Sequence, residues 1–427
     1  MTDDRTAEPA PPSTNRSSVS RRTFLRRATV AGGGLLAAGL AACTVAPGPT
    51  QTLRGSPGAS GSAGMATHAS SPPPSGGPPP RGWTDMDVSA RRVVRRYLGN
   101  LVPALKDVYD APTFARLGAI LGADEAYPEL SQKPAFMSVG PQLFLNDLLQ
   151  PLTPERDGSV KVFRISVDEI TQQIDEVMPA VPALGYNRQT PGPTIRVNQD
   201  DRVRALFTNN LPETTTVHFH GVEFDDFFQD GVPFVTQVPI KPGETYTYDF
   251  VARTGGSLMY HSHHNASDQV GRGLLGAFVV EPKENPVAYD REYIWVSNDV
   301  LGGFTINGHG FPATMPILAA AGETVLVRFM NEGVMMHPFH SHGFVMDVIA
   351  RDGHPLGNAS FRCDTLSVSP GERWDALIKA DRLGVWAFHC HILPHVEGPN
   401  GMFGMVTTLI VVPTKEHVDA IVNLLAG

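Results

Sequence analysis

Tyr260-His261-Ser262-His263 returns 128 residues later as Phe388-His389-Cys390-His391, and this repeated stretch decides the fold. The offset of 128 also holds, without a gap, for the glycine-containing positions on either side. In the first copy these are Pro242-Gly243-Glu244, Gly256 and Gly273-Leu274-Leu275-Gly276, and in the second Pro370-Gly371-Glu372, Gly384 and Gly401-Met402-Phe403-Gly404. Self-similarity over this length predicts two copies of one domain.

Short β-branched runs separated by Gly, Pro, Asn and Asp surround both copies. Examples are residues 162–167, 202–207, 245–251, 324–329 and 406–412. Many short strands at turn-separated spacing are typical of β-sandwiches or barrels. We therefore predict an all-β fold with two β-sandwich domains, over residues 158–284 and 285–413, followed by a short helix over 414–427.

The residues before the first domain predict export. Ser20-Arg21-Arg22-Thr23-Phe24-Leu25 has the form of a twin-arginine signal. Leu40-Ala41-Ala42-Cys43 resembles a bacterial lipoprotein cleavage box, so residues 1–43 predict an extracytoplasmic lipoprotein anchored through Cys43. A plain signal peptide with a chance cysteine is the alternative. The Pro/Gly/Ser-rich residues 44–82 predict a disordered linker, and 83–157 a partly helical segment.

The composition excludes some classes of protein. Charged residues make up 18% and the formal net charge is −9, which argues against a nucleic-acid binder. Three cysteines are too few for a disulfide framework. The 15 histidines are instead concentrated in short clusters, which indicates metal binding.

Eight histidines form four His-x-His pairs: His218/His220, His261/His263, His340/His342 and His389/His391. The first and third pairs match at an offset of 122, because the second copy has a longer loop. On a strand, residues two apart point to the same face, so each pair presents two imidazoles side by side. Imidazole binds Cu, Zn, Fe and Ni, and eight converging rings would hold more than one ion.

A second ligand set occurs only in the second copy. It consists of two imidazoles, a thiolate and a thioether: His337, Cys390, His395 and Met402. These are the ligands of a blue-copper electron-transfer site. The corresponding positions of the first copy carry Thr215, Ser262, Ser267 and Leu274. The repeat favours Met402 over Met405 as the axial ligand, because the flanking glycines match Gly273 and Gly276.

These motifs resemble those of the multicopper oxidases, and among them the two-domain, laccase-like bacterial members. The matching stretches are His218-Phe219-His220-Gly221, Tyr260-His261-Ser262-His263, His337-Pro338-Phe339-His340-Ser341-His342-Gly343 and Phe388-His389-Cys390-His391-Ile392-Leu393-Pro394-His395. The resemblance spans about residues 160 to 413 and implies two cupredoxin β-sandwiches. Two departures are a longer loop, 396–401, before Met402, and Val396 where many relatives have an acid, so that the acid here is Glu397.

The resemblance also implies copper, four ions per chain. The type 1 copper would be held by His337, Cys390, His395 and Met402, and the type 2 copper by His218 and His340. The type 3 pair would be held by His220, His261, His263, His342, His389 and His391. Asp230 resembles the family carboxylate that orients water on the type 2 copper and can relay protons. The alternative for Asp230 is a turn aspartate before glycine.

The implied activity is a four-electron reduction of dioxygen to water. A small reducing substrate, a phenol or a metal ion, would dock near His337 or His395, whose imidazole edges we expect nearest to solvent. Electrons would pass through Cys390 to His389 and His391. In two-domain relatives the first domain of one subunit meets the second domain of its neighbour, which implies a homotrimer.

Two alternatives stay open at this point. A copper nitrite reductase would need the blue-copper ligands in the first copy, where Ser262 stands, and only one further copper. A non-catalytic copper-binding or electron-transfer lipoprotein would leave the four His-x-His pairs unexplained.

Overall fold

A computed structural model describes residues 111–112, 115, 151–175, 179–284, 286–311, 313–398 and 401–426. The predicted signal, 1–43, and linker, 44–82, lie outside the described residues. So does most of the segment 83–157, of which residues 111–112 and 115 are helical. Among the described residues, no helix has the length and apolar character that crossing a membrane requires.

The first domain contains nine strands. They are β1 Glu155–Asp157, β2 Val160–Gln172, β3 Val181–Tyr186, β4 Gly192–Asn198, β5 Arg202–Asn209, β6 Val217–His220, β7 Thr245–Val251, β8 Gly256–Ser262 and β9 Leu275–Glu281. One sheet has the order β1-β2-β5-β7, with β3 also paired to β2, and the other has the order β4-β9-β8-β6. A short helix, α1 Ala266–Gln269, connects β8 to β9.

The second domain contains fourteen described strands. They are β10 Arg291–Asn298, β11 Thr305–Ile306, β12 Ile317–Ala320, β13 Thr324–Asn331, β14 His337–Ser341, β15 Met346–Arg351, β16 His354–Pro355, β17 Phe361–Cys363, β18 Thr365–Val368, β19 Arg373–Lys379, β20 Gly384–Cys390, β21 Glu397–Gly398, β22 Gly401–Met402 and β23 Val406–Val412. One sheet has the order β11-β10-β13-β19-β15-β16, with β17 on β15, and the other β12-β23-β20-β14-β18. Helix α2, Lys415–Ala426, follows.

Each domain is a sandwich closed by its own aromatic core. Phe207, Phe219 and Tyr260 are fully buried in the first domain, and Phe329 and Phe388 in the second. Burial of such side chains is the main stabilising term, about 1.5–3 kcal/mol each. The predicted all-β fold of two sandwiches is confirmed.

The first domain begins earlier than the predicted residue 158. Glu155–Asp157 pairs with β2, and the Leu152 N–H donates to the Thr194 carbonyl at 2.8 Å. All three residues of β1 are exposed on the edge of the sheet. An edge strand with no buried face lacks the apolar alternation that identifies a strand, so the sequence boundary was wrong by a few residues.

The two domains are joined by a buried polar cluster. The Ser257 hydroxyl of the first domain donates to Asp375 at 2.5 Å. Arg328 donates to both residues, at 2.9 Å to Ser257 and 3.0 Å to Asp375. These contacts fix β8 of the first domain against β13 and β19 of the second.

Candidate metal centre

Three predicted ligands meet in the second domain. The Cys390 Sγ lies 3.9 Å from the His337 Nδ1 and 3.6 Å from the His395 Nδ1. All three side chains are buried, and their donor atoms lie within 4.8 Å of one another. A thiolate with two imidazoles at this spacing fits a soft or borderline transition metal such as copper.

Strand alternation separates Cys390 from its neighbours. Cys390 lies opposite Phe339 in the β14–β20 pair, and both side chains belong to the apolar core. His389 lies opposite His340 in the same pair. Successive side chains of a strand point to opposite faces, so one strand presents its thiol to one site and its imidazoles to another.

The Cys390 thiol is in an environment that suits a metal. Burial raises the pKa of Cys390 to about 11. A thiolate therefore forms here only when a cation lies beside it, because a coordinating metal deprotonates a thiol. The donor set and its burial together fit a type 1 copper.

The expectation that the His337 and His395 edges lie nearest to solvent is wrong. His337 is 0% exposed and His395 is 2% exposed. The loop between β10 and β11 covers both rings. Asp299 Oδ2 lies 3.2 Å from the His337 Nε2, and Phe304 stacks on His395 with ring centroids 3.9 Å apart.

Met402 is placed differently from the other three predicted ligands. It lies on β22, opposite Glu397 of β21, and its side chain is 45% exposed. Met405 is fully buried, and its carbonyl accepts the Cys390 N–H at 3.0 Å. The axial position therefore remains a prediction.

The four histidines of the first domain form one cluster. His218 has ring centroids 5.4–5.6 Å from those of the other three, His220, His261 and His263. The His220 Nδ1 and His261 Nε2 lie 3.3 Å apart. Burial, with a smaller contribution from Arg373, lowers the pKa of His220 to about 3. The ring is therefore neutral near pH 7, which is the form that binds metals.

The four histidines of the second domain form a matching cluster. The His340 ring lies 4.9–5.8 Å from those of His342, His389 and His391. The His342 Nε2 and His389 Nε2 are only 2.9 Å apart. Both clusters have the same strand register, because His218 pairs with His261 as His340 pairs with His389.

Backbone carbonyls orient several of these rings. The His218 Nδ1 donates to the Asp230 carbonyl at 2.7 Å, and Asp230 Oδ1 lies 3.3 Å from the same nitrogen. The His340 Nδ1 faces the Asp364 carbonyl at 3.1 Å. Such a bond fixes the tautomer and leaves Nε2 free for a metal. Asp230 thus lies beside the first histidine of the His218-Phe219-His220 motif, and its role at a metal stays a prediction.

Asp364 and Asp299 were missed by sequence reasoning. Asp364 lies 24 positions after His340, whereas Asp230 lies 12 after His218, so the repeat did not align them. Asp299 contacts its histidine across 38 positions. Asp364 precedes Thr365, whose hydroxyl oxygen also lies 3.0 Å from the His340 Nδ1.

Steric constraints explain why glycine follows the second histidine in each His-x-His-Gly motif. Gly221 has φ +94°, and a Cβ there would meet Arg373 Nη2 at 2.6 Å. Gly343 has φ +69°, and a Cβ would meet Trp386 at 2.4 Å. Only glycine adopts such backbone angles freely at so close an approach.

The two histidine clusters do not meet within one chain. Among the described residues, no ring contact or hydrogen bond joins a histidine of the first cluster to one of the second. Each cluster supplies four imidazoles, half of the predicted eight. The structure therefore forms two four-histidine clusters, which we call half-sites, and one thiolate site with three of its four predicted ligands.

Comparison with known protein families gives a consistent result. Two family models, both described as multicopper oxidase, match residues 167–285 and 289–413, one on each domain. Iron transport multicopper oxidase FET5 of Saccharomyces cerevisiae is 32% identical over 229 residues, 46% of this chain and 36% of that protein. Laccase-2 of Botryotinia fuckeliana is 27% identical over 302 residues, 60% of this chain and 51% of that protein. The chain thus spans about half or less of these relatives.

Solved structures give the same fold. The multicopper oxidase mgLAC has a TM-score of 0.57 at 34% identity, covering 60% of this chain and 88% of its own. The blue copper oxidase from Nitrosomonas europaea has a TM-score of 0.56 at 30% identity, covering 59% and 86%. A copper nitrite reductase from Nitrosomonas europaea, at 22% identity and TM-score 0.52, covers 60% and 95% and shares the fold alone.

Proposed function

The chain belongs to the multicopper oxidase family, and we propose that it couples four one-electron oxidations of a reducing substrate to the reduction of dioxygen to water. The observation that carries this proposal is the position of Cys390. Its Sγ lies with two imidazoles in a buried site, while its chain neighbours His389 and His391 belong to a histidine cluster. An isolated electron carrier would not need that second cluster.

We assign four coppers to each chain. The type 1 ligands are His337, Cys390 and His395, with Met402 as the proposed axial ligand. The type 2 ligands are His218 and His340. The type 3 ligands are His220, His261, His263, His342, His389 and His391. Support comes from His218 and His340, whose Nδ1 atoms face backbone carbonyls so that Nε2 is free for a metal, and from the close pairs, such as His342 with His389 at 2.9 Å.

The chain's own residues supply the framework for this chemistry. Bound copper would contribute the one-electron redox steps and the reduction of dioxygen. Cys390 and its bonded neighbours give a continuous covalent path between the two sites. Asp230 holds His218 through its carbonyl and keeps a carboxylate 3.3 Å from the same ring, where it can accept or return a proton.

We propose a homotrimer in which neighbouring copies complete the histidine site. The two half-sites lie on different domains and have no described contact within one chain. Beside the first half-site, the loop that carries Asp230 exposes Phe227, Phe234, Val235 and Val238, the last three by more than 70%. An apolar surface of this kind is typical of a protein contact. A second copy would bring its second-domain cluster to it, in a head-to-tail ring.

The proposed substrate is a small reductant, a phenol or a metal ion. Relatives are named as laccases and as iron transport oxidases, so we retain both phenols and metal ions as proposed substrate classes. Both type 1 imidazoles are buried, so an electron must enter across the loop that carries Asp299 and Phe304. We also propose export through residues 1–43 of a bacterial chain, with a lipid anchor on Cys43, on the signal motifs alone.

The nitrite reductase alternative is not favoured. It requires blue-copper ligands in the first domain, but Thr215 and Ser262 occupy the positions that correspond to His337 and Cys390. The first domain would also supply four imidazoles, which is more than the single further copper of a nitrite reductase needs from one domain.

Copper content and oxygen uptake test the proposed function together. The purified copper-loaded chain should contain four coppers, show the intense blue absorbance of a thiolate–copper centre and consume one dioxygen per four electrons. Oxygen uptake with 2,6-dimethoxyphenol, Cu(I) and Fe(II), measured side by side, would identify the substrate class. Two coppers per chain with nitrite reduction, or one copper without oxygen uptake, would contradict the proposal.

A further inference from the structure

One loop contacts both imidazoles of the type 1 site. The loop connects β10 to β11 and carries Asp299 and Phe304. His337 directs Nδ1 toward Cys390, and its other nitrogen, Nε2, lies 3.2 Å from Asp299 Oδ2. Phe304 lies parallel to the His395 ring, with an interplanar angle of 17°.

The Asp299 carboxylate is itself held firmly. The side chains of Asp299 and His337 are both 0% exposed. Asp299 accepts the Val334 N–H at 2.9 Å and the Met335 N–H at 2.7 Å, in addition to the contact with His337. A buried carboxylate is tolerated only when hydrogen bonds compensate its lost hydration, and here three donors do so.

We propose that Asp299 is a positioning residue, which fixes the His337 Nδ1 toward the Cys390 thiol and lowers the reduction potential of the type 1 site. This inference rests on the proposed function. A carboxylate that accepts the Nε2–H locks the tautomer and makes the opposite nitrogen a stronger donor. A stronger donor and a buried negative charge both favour the more positive oxidation state of a bound metal.

A redox titration of the blue absorbance tests this role in the copper-loaded full chain. Asp299→Asn keeps the size of the side chain and removes its charge. We expect the variant to stay blue and to show a higher potential. At a fixed solution potential, the ratio of reduced to oxidised type 1 copper should rise about tenfold. This corresponds to a potential about 59 mV higher for a one-electron couple.

Asp347→Asn is the matched control, because it removes the same charge from a half-exposed carboxylate paired with Arg362. An unchanged potential in blue Asp299→Asn, or an equal rise in both variants, would overturn the inference. Asp299→Glu retains the carboxylate, so its potential should lie closer to that of the parent.

A measurement on the parent protein covers the case in which Asp299→Asn fails to fold. In the reduced, diamagnetic protein with ¹⁵N-labelled histidine, the His337 Nε2–H should give a slowly exchanging, downfield proton signal. A His337 ring that is deprotonated at Nε2, or that exchanges freely, would contradict the inference. A parent that lacks the blue band would instead refute the proposed function, so the two failures are distinguishable.

Discussion

Ser262 donates a 2.6 Å hydrogen bond to the side-chain oxygen of Gln269, and it does so from the position that corresponds to Cys390. Thr215, the counterpart of His337, donates to the same oxygen at 2.9 Å. The Gln269 amide also donates to the Thr214 carbonyl at 2.9 Å, and the side chain is fully buried. In the first domain, the Gln269 side chain thus occupies the space that corresponds to the proposed type 1 site of the second domain.

Gln269→Ala should destabilise the first domain without affecting the blue site. The substitution removes the acceptor that the buried hydroxyls of Thr215 and Ser262 share and leaves them only longer contacts, at 3.2–3.4 Å, so we expect a loss of about 1–3 kcal/mol. Denaturant unfolding measures the loss, and the blue absorbance should be unchanged because Cys390 lies in the other domain. Gln199→Ala, at an exposed hydrogen bond, is the control. Equal stability of the two variants would contradict the role of Gln269.

Cys390→Ser should abolish the blue colour and substrate oxidation. The serine hydroxyl is a poor ligand for copper and gives no thiolate absorbance, whereas the eight cluster imidazoles are untouched. We expect one copper fewer per chain by metal analysis, and the electron paramagnetic resonance spectrum should retain the signal of the type 2 copper and lose that of the type 1 copper. Cys363→Ser removes the other described cysteine and should keep colour and turnover. Substrate turnover retained by Cys390→Ser would exclude the proposed electron path.

Asp230→Asn should slow dioxygen reduction while leaving the type 1 site unchanged. The amide can keep the backbone contact to His218, but it cannot exchange a proton at pH 7. Residues that support a metal ligand in this way are worth about 10–100-fold in activity or metal affinity. Stopped-flow reoxidation of the reduced protein measures the effect. Asp268→Asn, at an exposed pair with Arg272, is the control, and equal rates in the two variants would assign Asp230 to the turn alone.

Val235→Lys should dissociate the proposed trimer. Val235 is 73% exposed beside the first half-site, and a lysine buried in a contact there would be costly. Light scattering should report a smaller particle, which loses cluster copper and oxygen uptake but stays blue. Leu383→Lys places the same charge at an exposed apolar residue of the second domain. A monomeric parent with full copper and activity would refute the trimer.

Local patterns predicted most of the framework. The two-residue alternation of a strand is enough to separate Cys390 from His389, and it holds in the structure. β7 and β23 begin and end where β-branched runs do. The repeat predicted two copies of one domain, and the structure shows the same strand register in both, since His218 pairs with His261 as His340 pairs with His389.

Contacts across loops and domains could not be predicted in this way. Asp299 reaches His337 only after the β10–β11 loop folds over the site, and no period or repeat marks that loop. Phe304 covers His395 for the same reason, so no sequence pattern predicts that these imidazoles are buried. The separation of the two histidine clusters depends on how the domains pack through Arg328 and Asp375, which is a tertiary property.

Glu332→Gln should make the protein more stable in mild alkali. Burial raises the pKa of Glu332 to about 8, although Arg373 opposes the shift, and its Oε1 has no hydrogen-bond partner in the described structure. Because the pKa of Glu332 is higher in the folded state, the stability that its protonated form contributes is complete below the unfolded pKa of ~4.3. That contribution is lost as the pH rises through 8. Glutamine stays neutral, so parent and variant should unfold at similar temperatures at pH 4, and the variant should gain on the order of a few kcal/mol by pH 8.5. Glu244→Gln, at an exposed position, should show no such trend, and parallel pH profiles for Glu332→Gln and the parent would mean that Glu332 is ionised in the folded chain.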